Sequence, residues 1–232
     1  MPDIKITSLN NQEFGGYCAM PAAGRGPGLI VIQEIFGVNA NMRKICDDYA
    51  AKGFIAVCPD LFWRQQPGIQ LTDKTPEEWD RAFDLFKGFD VEAGVRDLLA
   101  TTAYIRKMSG CNGKVGALGF CLGGKLAFLM ATRSDVDATV GYYGVDLDRY
   151  VSEVHDIRMP LMLHIAALDK YTPPDIREKL LKSFARNPVI TSYVYEGVDH
   201  AFARVGGDHY NREAASLANK RTEEFLLKNL QA

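Results

Sequence analysis

Cys121 occupies the most reactive setting in this chain. It stands in Lys114-Val115-Gly116-Ala117-Leu118-Gly119-Phe120-Cys121-Leu122-Gly123-Gly124, which reads as an apolar strand, a sharp turn and then a helix from Lys125 to Thr132. Gly119 and Gly123 lack a Cβ, so strand and helix can approach closely and hold the residue between them on a strained backbone. A thiol at a helix N-terminus has its pKa lowered, more so beside an imidazole that can become cationic. The chemistry this suits is nucleophilic attack on a carbonyl. The alternative is a buried thiol that only packs.

Such a nucleophile needs a base, and the base needs an orienting group. Four histidines compete. His155 lies in the polar run Glu153-Val154-His155-Asp156 and reads as a solvated surface residue. His164 sits inside Leu161-Met162-Leu163-His164-Ile165, the setting of a hydrogen-bonded core histidine. His209 follows Gly206-Gly207-Asp208 and would have to reach back from a loop. His200, in Gly197-Val198-Asp199-His200-Ala201-Phe202, comes just after the last expected strand and is the preferred base. For the acid, Asp169 follows the strand ending at Ala166-Ala167-Leu168, and carboxyl ends of sheet strands are where open α/β sheets place functional groups. Asp199 is too close in sequence to reach the His200 ring, and Asp175 reads as the start of a helix. The alternative for Asp169 is a turn residue ahead of Pro173-Pro174.

The elements that would position these groups alternate along the chain. An opening hairpin is expected at Lys5–Thr7 and Phe14–Met20. Further strands are expected at Leu29–Gln33, Phe54–Cys58, Val115–Leu118, Ala138–Tyr143, Leu161–Ala166 and Thr191–Tyr195. Helices are expected at Met42–Lys52, Pro76–Gly88, Val91–Met108, Asp175–Phe184 and Arg212–Leu230, with Asp90 capping the third of these. This alternation implies an α/β fold, a mostly parallel central sheet with helices on both faces. No repeat or Pro/Ser-rich linker interrupts it, so residues 1–232 are expected to form a single domain. The irregular stretch Leu61–Thr75 is long enough to be functional or mobile, a possible lid.

Composition narrows the function. A net charge of -2 and a sequence pI near 6.1 argue against nucleic acid or a membrane surface as partner. The apolar runs are too short to span a bilayer, and no secretory signal is apparent at the N-terminus. Five cysteines without metal-ligand spacing suit reduced thiols in the cytoplasm. Cys18, Cys46 and Cys58 are expected to pack, and Cys111 to be a loop thiol. No metal constellation or phosphate-cradling loop is apparent, so no cofactor is expected. The expected partner is a small molecule, and the assembly a monomer or small homo-oligomer.

The order Cys121, Asp169, His200 and the strand–turn–helix setting of Cys121 match the α/β-hydrolase fold, with cysteine at the usual serine of the G-x-S-x-G elbow. In that arrangement the oxyanion hole takes the Leu122 amide and one from the loop after Leu29–Gln33, here Ile35. Several segments closely resemble the dienelactone hydrolase (carboxymethylenebutenolidase) family. They are Gln33-Glu34-Ile35-Phe36-Gly37-Val38-Asn39, Val57-Cys58-Pro59-Asp60-Leu61, Gly119–Gly124, Gly141-Tyr142-Tyr143-Gly144 and His200-Ala201-Phe202-Ala203-Arg204. The resemblance implies opening of an unsaturated lactone by a Cys-His-Asp triad through a thioester. It also implies a role for Glu34, a carboxylate near the thiol that turns toward Arg204 when an anionic substrate binds. Substrate contacts are implied for Arg204, Phe36 and Tyr143. One departure concerns the family's second carboxylate-gripping arginine. Its position is Trp79 here, with Arg81 two residues on and on a different face of the helix. The alternatives are a broader carboxylesterase or thioesterase for activated acyl substrates, or a redox-sensing thiol on a non-catalytic scaffold.

Overall fold

The computed structural model describes residues 4–231. Strand β1 (Ile4–Thr7) pairs antiparallel with β2 (Glu13–Ala19), Ile4 facing Gly16 and Thr7 facing Glu13. There follow β3 (Gly26–Ile32), α1 (Ala40–Ala51), β4 (Ile55–Pro59), α2 (Pro76–Lys87), α3 (Val91–Arg106) and β5 (Cys111–Phe120). The remainder is α4 (Leu122–Arg133), β6 (Ala138–Tyr142), a 3-10 helix (Leu147–Asp156), β7 (Leu161–Ala166), α5 (Pro174–Phe184), β8 (Ile190–Tyr195) and α6 (Arg212–Leu230). The eight strands form one sheet in the order β1-β2-β4-β3-β5-β6-β7-β8. Packing divides the chain into two compact units that meet between Gly116 and Ala117, inside β5.

In the first unit, β4 lies between β2, antiparallel, and β3, parallel. Every residue of β4 and all but the first of β3 are buried, the continuous apolar run of strands covered on both faces. Helix α1 packs on β2, β3 and β4, and α3 on β1, β3 and β4. Each helix starts on a side chain that accepts an otherwise unpaired backbone N–H. Asn39 caps α1, Thr75 caps α2 ahead of Pro76, and Asp90 caps α3 through Ala93. The irregular segment 61–75 is tied down along its length. Trp63 stacks on Phe14 with centroids 5.6 Å apart and donates to Asp97 at 2.9 Å. Arg64 makes a two-pronged ion pair with the same buried carboxylate. Further on, Leu71 donates to the Phe36 carbonyl at 2.9 Å, and Gly37 bridges to Gln70.

In the second unit, β6, β7 and β8 are parallel, with Tyr142 opposite His164 and His164 opposite Tyr193. Both β6 and β7 are buried throughout. Helix α4 packs on β6, α5 on β8, and α6 on β6 and β7. A buried polar chain joins α6 to the strands. His164 Nδ1 meets the Tyr195 hydroxyl at 2.8 Å, and Nε2 meets Thr222 Oγ1 at 2.9 Å. Thr222 also meets the Tyr142 hydroxyl at 2.6 Å.

Two local expectations need correction. Cys111, expected in a loop, opens β5, whose first four residues are only partly covered and show no apolar alternation. The 3-10 helix at Leu147–Asp156 was not anticipated, because it buries only Leu147 and Val154 and has no 3.6-residue apolar period.

His164 carries a pH signature. Burial, and then the nearby Arg221 charge, hold its ring pKa down at about 3. The unfolded chain takes up a proton near pH 6.5 and the folded chain does not, so stability is lost as pH falls from 6.5 toward 3. The loss is roughly 1.4 kcal/mol per pH unit across that window. Urea unfolding between pH 7 and pH 4 should show a shallower fall for His164→Gln than for wild type; parallel slopes would contradict this.

Candidate active site

Within the second unit, Cys121 joins β5 to α4 with φ 56° and ψ −113°. A non-glycine residue held there costs on the order of 1–3 kcal/mol and persists only when its surroundings enforce it. Here they do. The Cys121 N–H donates to the Tyr142 carbonyl at 3.0 Å, and its own carbonyl accepts from Lys125 at 3.1 Å. A Cβ on Gly119 would lie 1.9 Å from the Gly123 oxygen, and one on Gly124 would lie 2.5 Å from the Tyr142 oxygen. Strand, turn and helix are therefore in backbone contact where any side chain would force them apart. The Cys121 side chain is buried, and Leu122 is the first residue of α4, fully covered.

Asp169 and His200 come from loops that follow β7 and β8. The loops are joined by Leu168 N–H donating to the Val198 carbonyl at 2.9 Å. Asp169 Oδ2 lies 2.8 Å from His200 Nδ1, and Oδ1 accepts from the Tyr171 backbone at 2.9 Å. The carboxylate side chain is 1% exposed, so this charge-assisted bond is shielded from water. The backbone of His200 is held as well. Its N–H donates to Asp199 Oδ1 at 2.6 Å, and its carbonyl lies 3.0 Å from His209 Nδ1. Two aromatic rings stand edge-on to the imidazole, Tyr171 at 4.9 Å and Tyr143 at 5.0 Å. Tyr143 and Ala201 share with Cys121 a positive φ, 36° and 65° respectively.

The far nitrogen of this ring, Nε2, is buried and has no hydrogen bond of ordinary distance and angle among the described residues. Its electrostatic neighbour is nonetheless Cys121. Burial works against a charged ring, but a negative sulfur at Cys121 and the Asp169 carboxylate outweigh it, and the pKa of His200 is pushed up to about 10. Asp169, His200 and Cys121 are thus an interacting set of carboxylate, imidazole and sulfur, and the coupling favours a charged imidazole. Such a set can generate a thiolate and later return a proton.

The other histidines stand apart from this role. His164 belongs to the polar chain on α6, and the His155 side chain is 77% exposed. His209 touches the His200 backbone rather than a thiol. Neither His209 nor Tyr171 could be picked from sequence as a support for His200. His209 acts on a carbonyl, which carries no residue signature, and only the position of Tyr171 in the Asp169 loop hints at its place. Arg204 is half-buried in the turn after His200, its N–H donating to the Ala201 carbonyl at 2.9 Å.

The first unit holds the remaining candidates. Glu34 and Ile35 follow β3 and are buried, and the Glu34 carbonyl accepts from Gln33 Nε2 at 3.3 Å. Trp79 stands edge-on to Phe36 at 5.0 Å and stacks on Phe83 at 5.6 Å, while its Nε1 donates to the Asp73 carbonyl. Arg81 donates to Gln66 Oε1 at 2.6 Å, so Trp79 and Arg81 do engage different surroundings. All five cysteines are reduced. Among the described residues no group of three or more His, Cys, Asp or Glu side chains could hold a metal ion, and no helix is long and apolar enough to cross a membrane.

A predominantly parallel sheet whose fifth strand runs through a strained cysteine into a helix defines an α/β-hydrolase fold, and comparison with known proteins places the chain among hydrolases acting on ester bonds. The chain belongs to the dienelactone hydrolase family, whose family model matches residues 14–230. It is 51% identical to a "putative carboxymethylenebutenolidase" of Azospirillum brasilense, the match covering 99% of this chain and 100% of that protein. It is 41% identical to the carboxymethylenebutenolidase of Pseudomonas putida over 96% of this chain and 94% of the relative. Among solved structures, a "putative dienelactone hydrolase" of Klebsiella pneumoniae superposes with a TM-score of 0.82 at 27% identity, covering 97% and 95% of the two chains.

Two outcomes follow. Gly119→Ala should cost about 3 kcal/mol or more, above the usual overpacking range because the clash is with backbone; thermal unfolding would register this as a drop of roughly 6 °C or more. The His200 ring should stay protonated through neutral pH and titrate near 10. In Cys121→Ala the midpoint should fall, because the sulfur is the largest influence raising it; NMR titration of the ring would show an unmoved midpoint if that attribution is wrong.

Proposed function

We propose that this protein opens an unsaturated lactone, a dienelactone-like enol ester, through a thioester on Cys121, with His200 as acid and base and Asp169 orienting it. The observation that carries the reading is the buried Asp169–His200 bond, made by a ring whose charge the neighbouring Cys121 also favours. The names of the relatives, carboxymethylenebutenolidase above all, support the substrate class.

The Cys121 thiolate attacks the lactone carbonyl and forms a C–S bond. The oxyanion is taken up by the amides of Leu122 and, by the chain order of the elbow, Ile35. Collapse breaks the ring C–O bond, expelling an enolate that takes the proton from His200. The neutral imidazole then accepts a proton from water, whose oxygen attacks the thioester carbonyl. Collapse releases the carboxylic acid and regenerates thiolate and imidazolium. Glu34 is assigned, on the family resemblance, the task of opposing thiolate formation until substrate binding pairs it with Arg204. The five reduced cysteines suit an enzyme of the cytoplasm.

A thiolate is itself a good leaving group, so the tetrahedral intermediate falls back unless the departing oxygen is comparably stable. An enolate meets that condition and an alkoxide does not. Purified protein should therefore turn over enol esters far faster than ethyl esters, and comparable rates would contradict the reading. Asp169→Asn should lower kcat by about 10³–10⁴ while the protein stays folded, by analogy with the orienting acid of serine hydrolases. A redox-sensing thiol would instead be indifferent to Asp169.

One observation favours a broader esterase. Trp79, packed against Phe36 and Phe83, occupies the position at which the family resemblance implies a second carboxylate-gripping arginine. A lone Arg204 would grip a substrate carboxylate less firmly, and an aromatic wall suits an apolar acyl group. Trp79→Arg should lower KM for a carboxylate-bearing lactone and raise it for a 4-nitrophenyl ester; the reverse pattern would remove Trp79 from the substrate pocket.

A further inference from the structure

The first unit contains a cleft that the hydrolytic scheme leaves unused. Its volume is about 360 Å³, at the lower end of the range for small-molecule sites. One wall is formed by Gly15, Gly16 and Tyr17 of β2. Another is the turn around Gly68 and Ile69, tied to the chain after β3 by Val38 N–H donating to the Ile69 carbonyl at 3.1 Å.

Two charged side chains face this space, and they differ in how they are satisfied. Arg43, in the first turn of α1, donates through Nη1 to the Val38 carbonyl at 2.8 Å and to Gln70 Oε1. Among the described residues it has no ion pair, and neither Nε nor Nη2 has a partner. The guanidinium is thus held by one corner, with its other donors uncommitted, a geometry suited to a planar carboxylate. Asp60, just after β4, is buried, and its two oxygens accept from Phe62 and Gly68 backbone N–H groups at 3.1 and 2.7 Å. Each oxygen keeps a lone pair that a hydroxyl could use. A second carboxylate on the ligand would be repelled there. Val38, Pro67 and Ile69 supply apolar surface.

We propose that this cleft binds a small hydroxylated monocarboxylic acid, its carboxylate on Arg43 and its hydroxyl donating to Asp60, apart from the hydrolytic machinery. The site is bipolar with an apolar middle, so it selects against dicarboxylates and against neutral alcohols. It needs no hydrolysis and makes no use of Cys121, so it stands or falls independently of the thioester scheme.

The test uses the full chain carrying Cys121→Ala, titrated with 4-hydroxybenzoate and followed by ¹⁵N NMR. The amides of Gly15, Gly16 and Gly68 should shift together and saturate. Benzoate should bind more weakly, and 4-hydroxybenzyl alcohol should leave these amides unmoved. Arg43→Ala should weaken binding about tenfold or more, the loss expected for a hydrogen-bonded charge, and Arg43→Lys should fall between. Arg204→Ala should leave it unchanged. Binding that survives Arg43→Ala, or is lost with Arg204→Ala, would place the ligand elsewhere and overturn the proposal. Should Arg43→Ala not fold, shift mapping on the parent chain decides: unmoved glycine amides at millimolar ligand would end the idea.

Discussion

A single shielded bond, the Asp169 carboxylate on the His200 ring, sets the terms for everything around it. Burial by itself would strip the imidazole of its charge, as it does at His164, where the same ring type is held neutral. At His200 the outcome reverses, because a negative sulfur at Cys121 and the Asp169 carboxylate on Nδ1 together outweigh burial. Two histidines in one unit, both nearly inaccessible, thus sit at opposite ends of the protonation scale. The difference is made by partners rather than by depth. His164 is surrounded by hydroxyls, which accept a neutral ring, and His200 by groups that reward a cation.

Keeping that bond short requires the loops after β7 and β8 to hold still, and the backbone does most of this. The loops share an amide–carbonyl bond between Leu168 and Val198, and the His200 peptide is gripped from Asp199 and His209. The strained turn at Cys121 is secured by the neighbouring strand, where Tyr142 receives its N–H. Tyr142 is in turn tied through Thr222 to α6 and His164. The polar chain on α6 and the turn at Cys121 therefore share one residue, Tyr142. This gives a physical reason for burying so many hydroxyls in an otherwise apolar interior.

Much of this was legible in the sequence, for reasons that can be named. Continuous apolar runs such as Leu161–Ala166 mark strands buried on both faces, and Asp90 marks a helix start because its side chain can take an orphan N–H. The nearness of Asp169 to His200 could be read from chain order and strand ends, although the roles given to them remain a proposal. What stayed hidden has equally definite causes. The first residues of β5 are too exposed to show a pattern, and a 3-10 helix carries no 3.6-residue period. His209 serves a carbonyl, and nothing in a residue's type announces that. The cleft beside Arg43 is assembled from β2, α1 and the loops after β3 and β4, and only folded coordinates bring these together.

The near-collision of Gly119 with Gly123 bears on how enzymes of this shape can diversify. Because the two backbones already touch, the elbow admits variation at the reactive residue itself but hardly at its glycine supports. Exchange of sulfur for oxygen at position 121 would keep every peptide bond of the turn while altering the softness of the side-chain atom it presents. Under the proposed function, divergence of substrate range would be sought in side chains such as Trp79, which packs against the Phe36 and Phe83 rings. Engineers who randomise the glycines of the turn would recover mostly misfolded chains.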